Sequence, residues 1–409
     1  MDTKRKIIND PVFGFINIPD KFIFQIINHP YVQRLNRIRQ LGLAFYVYPG
    51  AVHSRFQHSL GAMHLMSEAI NQLRSNGHSI SDEEKSGAMA CILLHDIGHA
   101  PFSHALETAL VKEIHHEDIS FLLMDKMNRE TNGKLDTAIA IFRDSYPKRF
   151  LHQLVSGQLD VDRLDYLRRD SFFTGVTEGN IGSARIIKML NLKDDKLVIE
   201  AKGIYSIENF LMARRLMYWQ VYLHKTAVAA ENMLINTLKR AKYLATKGTE
   251  LYVTPALQYF LYNNFNKTTF ANQQEALEFF VELDDNDIWC ALKAWIKHPD
   301  KVLSLLSRAL VNRNLFKIEM SHTPAFQDIV NAKTALYART YNLSPEDASY
   351  LLSADVITTD MYREEDDSIS ILYRDGTIKD ISEASDMLNI QLLSKKIKKY
   401  YLCFLQDSK

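Results

Sequence analysis

The sequence predicts a mainly α-helical protein with small β-ribbons at its edges. Two observations carry this. Apolar residues recur at three- and four-residue intervals through most of the 409 residues, and strand-like runs are few and short. Helical spacing runs through His64–Asn76, Ser81–Leu94, Ser206–Ala245, Gln273–Leu283 and Asp287–Ile296. Strands are expected at Val12–Ile18, closed by Pro19, and at Lys196–Ala201, closed before Gly203. Ser368–Tyr373 and Thr377–Ile381 flank Asp375-Gly376, a pair that favours a tight hairpin turn.

The polar stretch Thr246–Thr254, with Gly248 and then Pro255, ends a long helix and divides the chain into 1–245, a catalytic core, and 246–409, a mainly helical lobe with the hairpin near 368–381. Arg363-Glu364-Glu365-Asp366-Asp367 reads as a solvated loop, and Lys395–Tyr401 as the basic end of a surface helix.

The 49 basic and 49 acidic side chains cancel, so no global field points to nucleic acid or an anionic membrane. Cys91, Cys290 and Cys403 lie far apart, which suits reduced thiols better than a disulfide framework. Without an apolar leader or a run long enough to span a bilayer, the chain is expected to be cytoplasmic.

The chemistry concentrates in one region, where nine of the 14 histidines fall between His53 and His116. The adjacent pair His95-Asp96 follows the apolar run Ile92-Leu93-Leu94, and neighbouring helix side chains diverge by only ~100°, so both can reach one ion. Holding two hydrated groups beside apolar residues is costly unless a metal or hydrogen-bond partner satisfies them. His53, Arg55 and His58 come before this pair. His99, His104, His115, His116 and Glu117 follow it, and Asp160-Val161-Asp162-Arg163-Leu164-Asp165-Tyr166 lies further on.

The order His58, His95-Asp96, Asp162 resembles the HD superfamily of metal-dependent phosphohydrolases. The surrounding words are similar to its deoxynucleoside triphosphate triphosphohydrolase branch, which includes dGTPase-like enzymes and the vertebrate enzyme that joins a SAM domain to an HD domain. They are Ile8-Asn9-Asp10-Pro11, Gln33-Arg34-Leu35, Gln40-Leu41-Gly42, Tyr48-Pro49-Gly50-Ala51, Arg55-Phe56-Gln57-His58-Ser59-Leu60-Gly61, the run from His95 to His104, His116-Glu117, Asp160-Val161-Asp162 and Tyr222-Leu223-His224-Lys225. A weaker echo runs through Asp285-Asn286-Asp287-Ile288-Trp289 and Arg313-Asn314-Leu315-Phe316-Lys317. A helical HD core is the fold this implies.

The resemblance implies that His58, His95, Asp96 and Asp162 ligate a divalent metal. Iron, manganese, zinc or nickel would suit the mixed donors, with magnesium or manganese as a second ion. It implies that Arg55, Arg163 and Arg214 face the phosphates of a deoxynucleoside triphosphate, whose several negative charges need cationic donors. Metal-activated water would attack the α-phosphorus, leaving a deoxynucleoside and inorganic triphosphate. His116, oriented by Glu117, would be the general acid, with His99 and His104 near the phosphate chain.

Gln40 and Leu41 would line the deoxyribose, Asp170 would bind its 3′-hydroxyl, and Tyr166 and Tyr222 would pack on sugar or base. Alternatively, both tyrosines are core aromatics and Asp170 pairs with Arg168 or Arg169. Lys6, Asn9, Asn28, Gln33 and Asn36 match an effector-nucleotide site between subunits, and a dimer or tetramer is implied. Asn28 and Asn36 replace a charged pair that selects guanine, and Tyr218 replaces a histidine. Two other readings remain open: a different HD phosphohydrolase (nucleotidase, phosphodiesterase or guanosine polyphosphate hydrolase), or a nucleotide-binding regulatory protein with little catalysis.

Overall fold

A computed structural model describes residues 6–110, 114–265, 267–272, 274–324, 326–359, 368–387 and 397–406. The acidic run Arg363–Asp367 lies outside these residues. The architecture is mainly α-helical, as the periodicity implies, with sheets of two, four and three strands at the margins.

The helix Arg55–Ser75 starts nine residues before the apolar periodicity begins, because Ser54 and Gln57 form a reciprocal cap. Its first turns bury His58 and Ser59 alongside Leu60, so the apolar pattern is broken there by polar residues. Asp82–Leu94 is closed in the same way by Ser81 and Glu84, buries Gly87–Leu94 and stops at His95. The His95-Asp96 pair therefore sits in the turn just beyond a buried helix, not within one.

Val161–Thr174 is capped by the Asp160 carboxylate, which accepts from Arg163 N at 2.7 Å, and is ended by Gly175 at φ 75°. It packs on Arg55–Ser75, as does Asp82–Leu94. Gly61 permits the first of these contacts. A Cβ there would lie 1.9 Å from Asp165 Oδ1 and 2.2 Å from Arg169 Nη2.

The single helix expected over Ser206–Ala245 is two. Ile204–Met217 passes into a π-helical turn, Tyr218–Tyr222, and the chain breaks at His224, whose extended backbone and Nδ1 cap the helix Lys225–Thr246. The inserted turn shifts the phase of the helix, a common device at functional sites, and aims Tyr218 and Tyr222 into a cavity. Lys225–Thr246 then crosses the molecule, packing on Ser103–Ala109, Pro255–Tyr262 and Lys301–Val311. Near its C-terminal end, Arg240 pairs with Asp300 and Asp347. None of the helices among the described residues is long and apolar enough to cross a membrane.

Among the ribbons, Gly14–Ile18 pairs antiparallel with Lys6–Asp10, a strand too short and polar to be read from sequence. Lys196–Glu200 pairs antiparallel with Leu190–Lys193 and parallel with Ser370–Leu372, which forms the expected hairpin with Ile378–Asp380. The reading of Lys395–Tyr401 as a helix end is wrong. Ile397–Phe404 is the central strand of the three-stranded sheet, between Lys317–Ser321 and Leu352–Thr359. Residues 395–396 lie outside the described ones. Burial of Tyr401, Leu402, Cys403 and Phe404 on both faces sets the strand there, with the lysines at its outer end.

Candidate metal centre and active site

Three elements aim ligand atoms at one point. His58 comes from Arg55–Ser75, His95 from the turn after Leu94, and Asp162 from the first turn of Val161–Thr174. Their ligand atoms lie within 4.8 Å of one another. Asp96 adds a carboxylate: Oδ1 is 3.2 Å from His95 Nε2, and Oδ2 is 3.8 Å from His58 Nε2.

The tautomers fit a metal. His58 Nδ1 donates to Asp165 Oδ2 at 2.7 Å and His95 Nδ1 donates to Ile92 O at 2.6 Å. Both Nε2 atoms are buried without a hydrogen-bond partner among the described residues. Asp162 Oδ1 lies 3.0 Å and 3.4 Å from them. Two imidazoles and two carboxylates converging in this way suit a divalent cation, with Asp165 orienting the His58 ring from behind.

The field agrees. Burial lowers the His58 imidazolium, but flanking Asp162 and Asp165 outweigh it and raise its pKa to about 10. Burial would raise Asp162, yet His58 and His95 hold it well below the carboxylate range. The cluster stabilises positive charge. Asp165 is itself held by the buried Arg169, which also binds Asp10 at 2.7 Å.

Beside this centre, Arg55 donates to Asp96 Oδ2 at 2.7 Å. The His99 and His116 rings stack at 3.8 Å between centroids, and Asp96, His99 and His116 form a second group of ligand atoms within 4.8 Å. Burial first, then the Arg55 charge, keeps His99 well below its ordinary pKa; burial also lowers His116. Stacked imidazoles resist both being charged. Glu117 Oε1 lies 3.4 Å from His116 Nε2, and the His104 side chain lies outside the described residues.

All of this opens on a cavity of about 540 Å³. Its walls include Gln40, Leu41, Tyr166, Asp170, Tyr218 and Tyr222 together with Arg55, Asp96, His99, His116 and Asp162. Asp170 pairs with neither Arg168 nor Arg169. It accepts from Tyr222 at 2.8 Å and from His53 at 2.7 Å. Burial, then the Asp170 charge, pushes the Tyr222 hydroxyl well above its ordinary pKa, so it stays protonated.

The comparisons with known proteins match this site. A model of the HD domain matches residues 55–170, the span that contains His58, His95, Asp96 and Asp162, and a model of the HD associated region matches residues 181–252. YwfO of Bacillus subtilis strain 168, an uncharacterized protein, is 33% identical over 400 residues, covering 94% of this chain and 88% of that one. The crystal structure of a phosphohydrolase from Bacteroides thetaiotaomicron VPI-5482 matches with a TM-score of 0.96 at 64% identity, over 98% of this chain and 100% of that one. This chain belongs to the HD-domain phosphohydrolase family.

A more distant relative is the Dictyostelium discoideum homolog of SAMHD1, named as a deoxynucleoside triphosphate triphosphohydrolase. It is 29% identical over 255 residues, 58% of this chain and 49% of that protein.

Within this HD-domain protein some expected substrate contacts stand back from the cavity. Arg163 is turned onto Asp160, and Arg214 donates to Gln158 Oε1 at 3.2 Å. Each keeps a buried Nε without a hydrogen-bond partner among the described residues, and both charges are felt at Tyr166. At the N-terminal face, Lys6 Nζ sits 3.0 Å above the Phe24 ring, and Asn28 and Gln33 each donate at 2.8 Å to the protein's own carbonyls, Phe24 O and Ile27 O. Asn36 donates to Gln33 Oε1 at 3.2 Å, and Asn9 is exposed on the first strand.

His53 and Asp165 stand in the candidate runs without an assigned role, and Arg39 and Glu231 stand outside them. Arg39 and Glu231 line the cavity, while Asp165 and His53 support groups that do. A pairing three residues after Asp162, on the same helix face, was the available signal for Asp165.

Behind the cavity, Asp285 accepts from Arg39 N at 3.0 Å. Burial pushes its carboxyl up to about 7, against the opposing Arg39 amide and charge. A raised acid pKa contributes stability that is complete below the unfolded-state value of ~3.9 and lost as pH rises through the folded value. Asp285→Asn should therefore raise the Tm by a few degrees at pH 8 and change it little at pH 4, as scanning calorimetry at the two pH values would read.

Proposed function

We propose that this protein hydrolyses deoxynucleoside triphosphates to deoxynucleoside and inorganic triphosphate. The observation that carries this is one cavity joining the His58, His95, Asp96, Asp162 cluster to the Asp170–Tyr222 acceptor pair. A site for phosphorus chemistry and a site for a sugar hydroxyl share one space.

A divalent cation held by those four ligands would supply Lewis acidity and an activated nucleophile; iron, manganese, zinc and nickel suit the donors. Arg55 would exchange part of its contact with Asp96 for a phosphate oxygen. The negative charge of a bound polyphosphate would draw the His116 pKa back up, the condition under which it donates a proton to the leaving oxygen. Glu117 would orient the His116 ring. Arg163 and Arg214 would turn their unpaired Nε groups toward the phosphates when these arrive. Leu41 and Gln40 would close the wall beside the sugar.

The exposed Ile7 and Phe15, on the outer face of the N-terminal ribbon, favour a homo-oligomer. Lys6, Asn9, Asn28, Gln33 and Asn36 beside them would take an effector nucleotide by neutral amide contacts.

The test is a product assay with each deoxynucleoside triphosphate, alone and in mixtures, with manganese or magnesium. Release of inorganic triphosphate and nucleoside supports the proposal. Release of single phosphates would move the protein to another HD activity, and metal binding without turnover would favour a regulatory role. Turnover that needs a second nucleotide would support the effector site.

A further inference from the structure

His53 is a buried titratable group that the proposed chemistry does not use. It is 2% exposed and Asp170 1%, and the His53 ring stacks on Phe173 at 4.5 Å with planes 14° apart. His53 Nε2 lies 2.7 Å from Asp170 Oδ1, and the Tyr222 hydroxyl donates to Asp170 Oδ2 at 2.8 Å. An ionised carboxylate only accepts, so Nε2 carries the proton. Nδ1 is buried without a hydrogen-bond partner among the described residues. His53 is thus a donor fixed on one carboxylate oxygen while Tyr222 is fixed on the other.

This arrangement decides what the cavity sees. A carboxylate has about four lone-pair sites, and the two donors inside the wall occupy one on each oxygen. The others remain for a ligand, and Asp170 lines the cavity. The Tyr222 proton is committed to Asp170, so its oxygen also faces a ligand as an acceptor. Without His53, Asp170 could turn about its side-chain bonds and present its oxygens differently to the cavity.

We propose that His53 is a positioning residue that holds Asp170 in one orientation as an acceptor corner and so determines sugar specificity. This rests on the nucleotide-hydrolase reading above. The corner selects a sugar with a free hydroxyl at the position facing Asp170, and refuses the same nucleotide with that hydroxyl removed, methylated or phosphorylated. A nucleic-acid chain continuing from that oxygen would place a phosphodiester against a buried carboxylate and is refused for the same reason.

The test compares kcat and KM for a 2′-deoxynucleoside triphosphate, its 2′,3′-dideoxy analogue and its 3′-O-methyl analogue, in wild type, His53→Phe and His53→Gln. Phenylalanine keeps the stacking on Phe173 and removes the donor; glutamine restores a donor that reaches Asp170. His53→Asn, too short to reach, replaces the Phe variant if that does not fold.

Loss of one hydrogen bond to a charged group should cut the preference for the 3′-hydroxyl substrate by about tenfold or more, mainly through KM. The dideoxy analogue should change little, bound metal should be unchanged, and His53→Gln should recover most of the preference. An equal loss on all three substrates, or an unchanged ratio, would overturn the role of His53 while leaving the hydrolase reading intact. Failure of the wild type to bind or turn over any deoxynucleoside triphosphate would overturn both.

Discussion

Asp162→Ala should strip the bound divalent cation and lower phosphohydrolase turnover by at least about a thousandfold, corresponding to roughly 4 kcal/mol of transition-state stabilisation. Asp162 is the carboxylate that both orphaned nitrogens face, 3.0 Å from His58 Nε2 and 3.4 Å from His95 Nε2. The other carboxylate, Asp96, is shared with Arg55 and cannot hold the ion against two imidazoles alone. With the Asp162 charge gone, one of the supports that raise His58 goes too, and the pocket loses much of its preference for a cation. Metal content by mass spectrometry and manganese affinity by titration would check the first half of the expectation, and initial rates the second. Full metal occupancy in the variant would remove Asp162 from the ligand set.

The candidate ligands His58, His95, Asp96 and Asp162 were legible as candidates because each belongs to a word whose order and spacing are unusual, and the fold brings the words together. What lay hidden was the support beneath them. Asp165 and Arg169 stand four apart on one helix, a spacing that ordinarily signals an exposed pair worth a few tenths of a kcal/mol. Here both are fully buried, and nothing local says so, since the burial depends on Gly61 letting two helices close.

The break after Met217 was hidden for a related reason. Apolar periodicity runs through Tyr218–Tyr222, and the π-turn that redirects both tyrosines leaves no compositional mark. Ile397–Phe404 was misread because charge dominates its outer half, while its place in the sheet is fixed by long-range pairing with Leu352–Thr359 and Lys317–Ser321. Arg163 and Arg214 came from the resemblance. In the fold their partners are Asp160 and Gln158.

Arg169→Met carries the largest expected effect on stability, a loss of about 3–5 kcal/mol at neutral pH. Arg169 binds Asp165 at 2.9 Å and Asp10 at 2.7 Å, and all three are buried. Methionine fills the space, but two carboxylates then lie in the core with their shared cation gone. The sign of the pH dependence follows. Burial would raise Asp165, yet Arg169 first and then His58 hold it low, so in the wild type it contributes stability above its unfolded value of ~3.9 and loses it as pH falls. In the variant Asp165 loses its main counter-charge, its pKa rises, and protonation relieves the penalty. Urea unfolding should show the gap to wild type narrowing from pH 7.5 to pH 5.

Metal affinity should fall as well, by about 10–100-fold, because Asp165 also orients His58. The two consequences separate in the double variant Arg169→Met with Asp165→Leu. Removing a buried ion pair for apolar groups of similar size is often neutral, so much of the lost stability should return. The metal affinity should not, because His58 Nδ1 then has no acceptor to hold its ring. Recovery of both would mean that the packing of helix Val161–Thr174 on Arg55–Ser75, rather than the Asp165 carboxylate, positions His58.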